Sequence, residues 1–169
     1  MSDIHHNGTA NVPGQPLSRA LRALVVRSIT EAQLRNSTLV EAEHVLLALS
    51  REGSAPIRSA LAGAGLDPDG LGAALDGERA ASLRVAGVTP APAERLTAAT
   101  RVARPRWGAS FKEALTRAHR VGTANHRQRT TELDLLTALM GLELGTLPRA
   151  LTIAGVDRPA VLASARHAA

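Results

Sequence analysis

One apolar register runs through this chain twice. Gly155-Val156-Asp157 stands ninety residues after Gly65-Leu66-Asp67. The same gap-free shift lays Phe111 on Leu21, Leu115 on Val25, Leu136 on Leu46, Ala138 on Ala48, Leu139 on Leu49 and Leu151 on Leu61. Self-similarity at a fixed offset marks a duplicated supersecondary unit, whose copies bury their apolar faces against one another. A length of 169 residues suits one compact body built from two such units around a shared core.

The spacing within each copy is helical. Hydrophobic residues make up 44% of the chain, yet Trp107 and Phe111 are its only aromatics, so the core must be Leu, Ala, Val and Ile. Few strand-favouring aromatics and many alanines point to helices. Leu21, Leu24, Val25, Ser28 and Ala32 share one helical face, with Pro16 before it and Ser18 placed as N-cap. A second helix is expected over residues 39–50, with Thr38 and Glu41 spaced as a capping box ahead of Val45, Leu46, Leu47 and Leu49. Ser54-Ala55-Pro56 opens a third, which runs through Ile57 and Leu61 to Gly63–Gly65. Asp67-Pro68 opens a short fourth through Leu71 and Leu75. The expected fold is all-α: two tandem four-helix repeats, about eight helices, packed with pseudo-twofold symmetry. Residues 1–15 are expected to form a disordered tail, 16–76 repeat one and 106–169 repeat two. The intervening 77–105, with Thr89-Pro90-Ala91-Pro92 and a short helical turn near Glu94–Ala99, is expected to be a linker.

Several chemistries lack their residues. No cysteine is present, which excludes disulfides and thiolate metal sites and fits a reducing cytosol. The first sixteen residues carry no apolar stretch of signal-peptide type, and no apolar run reaches bilayer length, so a soluble cytoplasmic protein is expected. There is no Gly-x-x-x-x-Gly-Lys-Ser/Thr, Gly-x-Ser-x-Gly or His-Glu-x-x-His. His5, His6, His44, His119, His126 and His167 are scattered; His119 and His126 lie seven apart on one expected helix and lack a third ligand. No enzyme activity, metal or cofactor is expected. The net charge of +5 is almost wholly guanidinium, since Lys112 is the one lysine, and Arg-rich, Ala-rich composition reads as coding bias before it reads as a nucleic-acid surface.

The segment Glu43-His44-Val45-Leu46-Leu47-Ala48-Leu49, then Ile57, Leu61 and Ala64-Gly65-Leu66-Asp67, resembles the repeat of the N-terminal domain of Clp ATPases. The upstream Leu17-Ser18-Arg19-Ala20 is similar to that family too, and the resemblance runs from about Pro16 to Ala165. It implies an eight-helix, two-repeat domain that docks adaptors and substrates for a Clp unfoldase. In ClpC-type members it also implies binding of phosphorylated arginine at one acidic site per repeat. The aligned positions are Ser18 and Glu43. A helix N-terminus with a hydroxyl suits a phosphate, and a carboxylate suits a guanidinium.

Repeat two departs from this pattern. Leu133 aligns with Glu43, Asp134 with His44 and Gly108 with Ser18, while Glu132 stands one place early; in repeat one, Ala42 replaces a usual threonine. The expected ligand-binding residues are Ser18, Glu43, His44, Glu132 and Asp134. The expected function is a non-catalytic, motorless module that recognises adaptor or substrate proteins, including phosphoarginine-tagged ones, in Clp-dependent proteolysis. One alternative is a decoy that sequesters Clp-targeting cyclic peptides or toxins. Another is a helical nucleic-acid-binding protein, with Arg101, Arg104 and Arg106 on phosphates and Trp107 stacked on a base.

Overall fold

A computed structural model describes residues 16–88 and 104–168, which hold eight helices. They are α1 Arg19–Leu34, α2 Ala42–Glu52, α3 Ala55–Gly63, α4 Pro68–Val85, α5 Ala109–Ala124, α6 Glu132–Met140, α7 Thr146–Ile153 and α8 Arg158–His167. Two strands of two residues each, β1 Leu39–Val40 and β2 Arg106–Trp107, complete the described elements.

The ninety-residue register survives to the level of caps and turns. α1 and α5 are each sixteen residues long and begin ninety positions apart. Asp67 caps α4 by accepting from the Gly70 amide at 2.8 Å, and Asp157 caps α8 by accepting from the Ala160 amide at 3.0 Å. Each satisfies an amide that the first helical turn leaves without a partner. Gly65 and Gly155 take left-handed backbone at φ 71° and 67°, as do Asn36 and His126 at 52° and 53°. His126 therefore lies beyond the end of α5 and does not share a helix with His119, contrary to the periodicity reading.

Packing crosses between the repeats. α1 lies on α2 and α5 on α6, but α3 packs on α8 and α4 on α7, so the third helix of each repeat rests on the fourth of the other. The shared core is leucine-rich: Leu21, Leu46, Leu49, Leu61, Leu136, Leu139 and Leu151 are all fully buried. Each such side chain contributes roughly 1.5–3 kcal/mol relative to exposure. The connecting segments cross as well. β1 pairs in parallel with β2, Leu39 opposite Arg106 and Val40 opposite Trp107. The ninety-residue counterpart of the second pair is present as a parallel bridge between Leu17 and Thr130.

Two expected boundaries move. α2 begins at Ala42, not at residue 39, and its capping box joins Glu41 to His44 instead of Thr38 to Glu41. The cause is non-local: Thr38 O and Val40 O accept from the amides of Arg106 and Gly108, both at 2.9 Å, and Val40 is fully buried by staying extended. α4, in turn, does not stop before residue 77 but runs to Val85. Its extension is held by Glu78, 4% exposed, whose Oε1 accepts from Arg149 Nε and from Ser82 Oγ, both at 2.7 Å. The expected tail over residues 1–15 and the expected turn near Glu94–Ala99 lie outside the described residues.

Candidate functional site

The start of α2 carries the acidic motif. The Glu41 amide donates to Nδ1 of His44 at 2.9 Å, closing the helix start. His44 is 3% exposed, and burial, with the Arg35 charge as second cause, pushes its imidazole down to about 4. At neutral pH it is an uncharged hydrogen-bond acceptor. Glu43, next to it, is half-buried. Burial pushes its carboxyl above the ordinary range.

Glu43 lines a cleft of about 280 Å³ that three helices of repeat one and one of repeat two build together. The end of α1 supplies Arg35 and, just beyond it, Asn36 and Ser37; α2 supplies Glu43 and His44; α4 supplies Leu75, Glu78 and Arg79; Thr146 comes from the start of α7. Two of the charges are already answered: Arg35 pairs with Asp76, and Glu78 with Arg149. Glu43 and Arg79 form no ion pair among the described residues. The cleft thus holds a carboxylate, in contact with its own backbone amide, and a guanidinium of opposite sign, neither ion-paired among the described residues.

A second cleft, of about 220 Å³, occupies the corresponding place in repeat two. Arg127, Thr131, Glu132 and Leu133 line it, with Ser54 and Ile57 from the start of α3 in the other repeat. Leu133 stands where cleft one has Glu43, so the acid is replaced by a hydrocarbon. Glu132 is engaged at the rim, its Oε2 accepting from the Ser54 amide at 3.2 Å. Asp134 is 1% exposed and fully used. It accepts from the Thr131 amide at 2.9 Å, from Thr131 Oγ1 at 2.8 Å and from Arg127 Nη1 at 3.0 Å.

The five residues singled out in the sequence are therefore distributed, not gathered. Glu43 and His44 line cleft one, Glu132 lines cleft two, and Asp134 closes a helix start. Ser18 caps α1, its Oγ accepting from the Leu21 amide at 3.1 Å while its own amide donates to Thr130 O at 2.9 Å. It is not among the residues lining the cleft with Glu43. Arg79 and Thr146 escaped sequence reading because one lies in the segment read as linker and the other comes from the far repeat. A signal for Arg79 was present: Leu71, Leu75, Glu78 and Ser82 continue a helical spacing through that segment.

The basic segment ahead of α5 has its aromatic residue committed to packing. Trp107 stacks on Phe111 with ring centroids 4.5 Å apart and planes at 23°. Among the described residues no group of three His, Asp or Glu side chains is placed to hold a metal ion, and no helix is long and apolar enough to cross a membrane.

No family model matches the sequence, and no curated protein matches it. The architecture does have a solved counterpart: the crystal structure of the N-terminal domain of the caseinolytic-protease-associated chaperone ClpD from Arabidopsis thaliana. The two are 17% identical in sequence and superimpose with a TM-score of 0.60, over 89% of this chain and 95% of that one. At that identity the likeness is one of fold, and at that coverage it takes in both repeats. The protein is a two-repeat, all-helical chain with the fold of the ClpD N-terminal domain.

Proposed function

We propose that this chain is a non-catalytic protein-binding domain that recognises adaptor or substrate proteins in a Clp-type proteolytic system. The observation that carries this is the cleft between the repeats, which presents Glu43 and Arg79 without ion-pair partners among the described residues, in a fold shared with a Clp chaperone's N-terminal domain. Nothing in the cleft is arranged for bond-making: His44 is consumed by the helix cap and Ser37 Oγ donates to Leu39 O at 2.7 Å. The ligand group that fits carries a cation beside an anion. Phosphoarginine on a protein is such a group, its guanidinium facing Glu43 and its phosphate facing Arg79.

Calorimetry with a phosphoarginine-bearing peptide, against the same peptide with plain arginine, tests this. Binding of the phosphorylated peptide that is lost in Glu43→Gln supports it. No heat with the wild-type protein removes phosphoarginine as the ligand. Capture of a Clp-directed cyclic peptide that is insensitive to Glu43→Gln would favour the decoy role.

A further inference from the structure

Glu41 does more than open α2. Its side chain leaves repeat one and reaches the first turn of α5 in repeat two. There Oε2 accepts from the Ser110 amide at 2.9 Å and from the Ser110 hydroxyl at 2.5 Å. The same hydroxyl accepts from the Ala42 amide at 2.9 Å, so each helix start holds the other. The N-cap of α5 is Gly108, which has no side chain to cap with. A Cβ there would fall 2.1 Å from the carboxyl carbon of Glu41, so the carboxylate fills the space beside the glycine. α1 carries Ser18 at this position instead and caps itself. The counterpart of Glu41 in repeat two is Thr131, whose hydroxyl is spent within its own repeat, accepting from Arg127 Nη1 at 2.8 Å and from the Asp134 amide at 3.4 Å and donating to the Asp134 carboxylate. Two helix starts made equivalent by the repeat are thus closed differently, one by its own neutral hydroxyl and one by a carboxylate borrowed across the repeat boundary.

A helix start carries unpaired amides and about half a positive charge, which attract anions. A carboxylate tethered at bonding distance competes at a high effective concentration against any anion in solution. We infer that Glu41 is a built-in anion that occupies the start of α5 and closes it to external phosphate and carboxylate groups, so that cleft one alone reads the anionic ligand and one ligand binds per chain. This rests on the ligand-reading role proposed above, but its test does not pass through Glu43.

Inorganic phosphate is titrated into the full chain while the backbone amide resonances of Ala109 and Ser110 are followed. In the wild-type protein they stay silent; a saturable shift there overturns the inference. In Glu41→Ala, and separately in Gly108→Ala, which expels the carboxylate at a position of ordinary extended backbone (φ −80°) while leaving the bond from the Glu41 amide to His44 Nδ1 in place, the two amides shift saturably. A folded variant of either kind that stays silent overturns the inference as well. Repeating the titration in Glu43→Gln leaves all three responses unchanged, so a failure at α5 is distinguishable from a failure of cleft one. If neither Glu41→Ala nor Gly108→Ala folds, the wild-type titration decides by its silence or its shift.

Discussion

Arg149 of α7 reaches across the repeat boundary and donates through Nε to the buried Glu78 of α4 at 2.7 Å. The two partners are unequally placed: the Arg149 side chain is 57% exposed and that of Glu78 is 5% exposed. Losing Arg149 strands a buried carboxylate with Ser82 alone, whereas losing Glu78 releases an arginine that water already solvates. Arg149→Ala is therefore expected to cost about 1–3 kcal/mol and Glu78→Gln distinctly less. Urea unfolding of both variants checks the order. Equal losses would mean that the pair acts through packing and not through charge.

The pairing also explains what could and could not be read from sequence. The repeat itself was legible, because Leu21, Leu46, Leu49 and Leu61 recur ninety places later as core residues that only their own helices need to specify. Ser18, Pro56 and Asp67 announced helix starts for equally local reasons. The length of α4 was not legible. Gly70, Gly72 and Gly77 lower its propensity, and the contact that sustains it lies on a helix more than sixty residues away. The start of α2 was misplaced for the same kind of reason, since Val40 is held extended by a strand from the other repeat. Within the candidate site, Glu43 and His44 stood out in a motif. Arg79 and Thr146 join them only when α4 and α7 pack, and the grip of Glu41 on Ser110 is a relation between repeats that no local pattern encodes.

His44 makes the fold sensitive to acid. Its imidazole is pushed down to about 4 in the folded protein, by burial first and by the Arg35 charge second, against an ordinary 6.5 when unfolded. Between those values the unfolded chain binds a proton that the folded chain does not, so stability falls as pH drops from about 6.5 towards 4 and levels off below. The loss is on the order of 2–4 kcal/mol. Glutamine at this position can still accept from the Glu41 amide, as capping boxes allow. Guanidinium unfolding of His44→Gln from pH 7 to pH 4.5 should show a markedly flatter decline than the wild type. Parallel declines would move the acid sensitivity elsewhere.

Asp134 separates a structural acid from a reading one. It is 1% exposed and receives the Thr131 amide, the Thr131 hydroxyl and Arg127. Asp134→Ala orphans those donors and is expected to lower stability by roughly 2–4 kcal/mol. Under conditions where the variant remains folded, its affinity for any cleft-one ligand should match the wild type. A variant of normal stability but lost binding would return Asp134 to the ligand-contacting set.

Glu43 and Arg79 should divide the ligand between them. Burial raises the carboxyl of Glu43, which means water solvates its charge poorly and an arriving guanidinium gains more from it than at an open surface. Arg79 is exposed, so its attraction for an anion is screened and weaker. Glu43→Gln is expected to weaken a plain arginine peptide and its phosphorylated form alike, each by about tenfold or more, the equivalent of roughly 1.4 kcal/mol. Arg79→Gln should leave the plain peptide untouched and remove only the advantage of the phosphorylated one. It should also remove the salt dependence that accompanies that advantage, because an exposed charge is the screened one. Calorimetry of both peptides against both variants at two ionic strengths reads this directly. Were Arg79→Gln to weaken the two peptides equally, the open guanidinium would be shaping the cleft wall and not meeting the phosphate, and the anion would have to be read by the amides at the start of α7 beside Thr146.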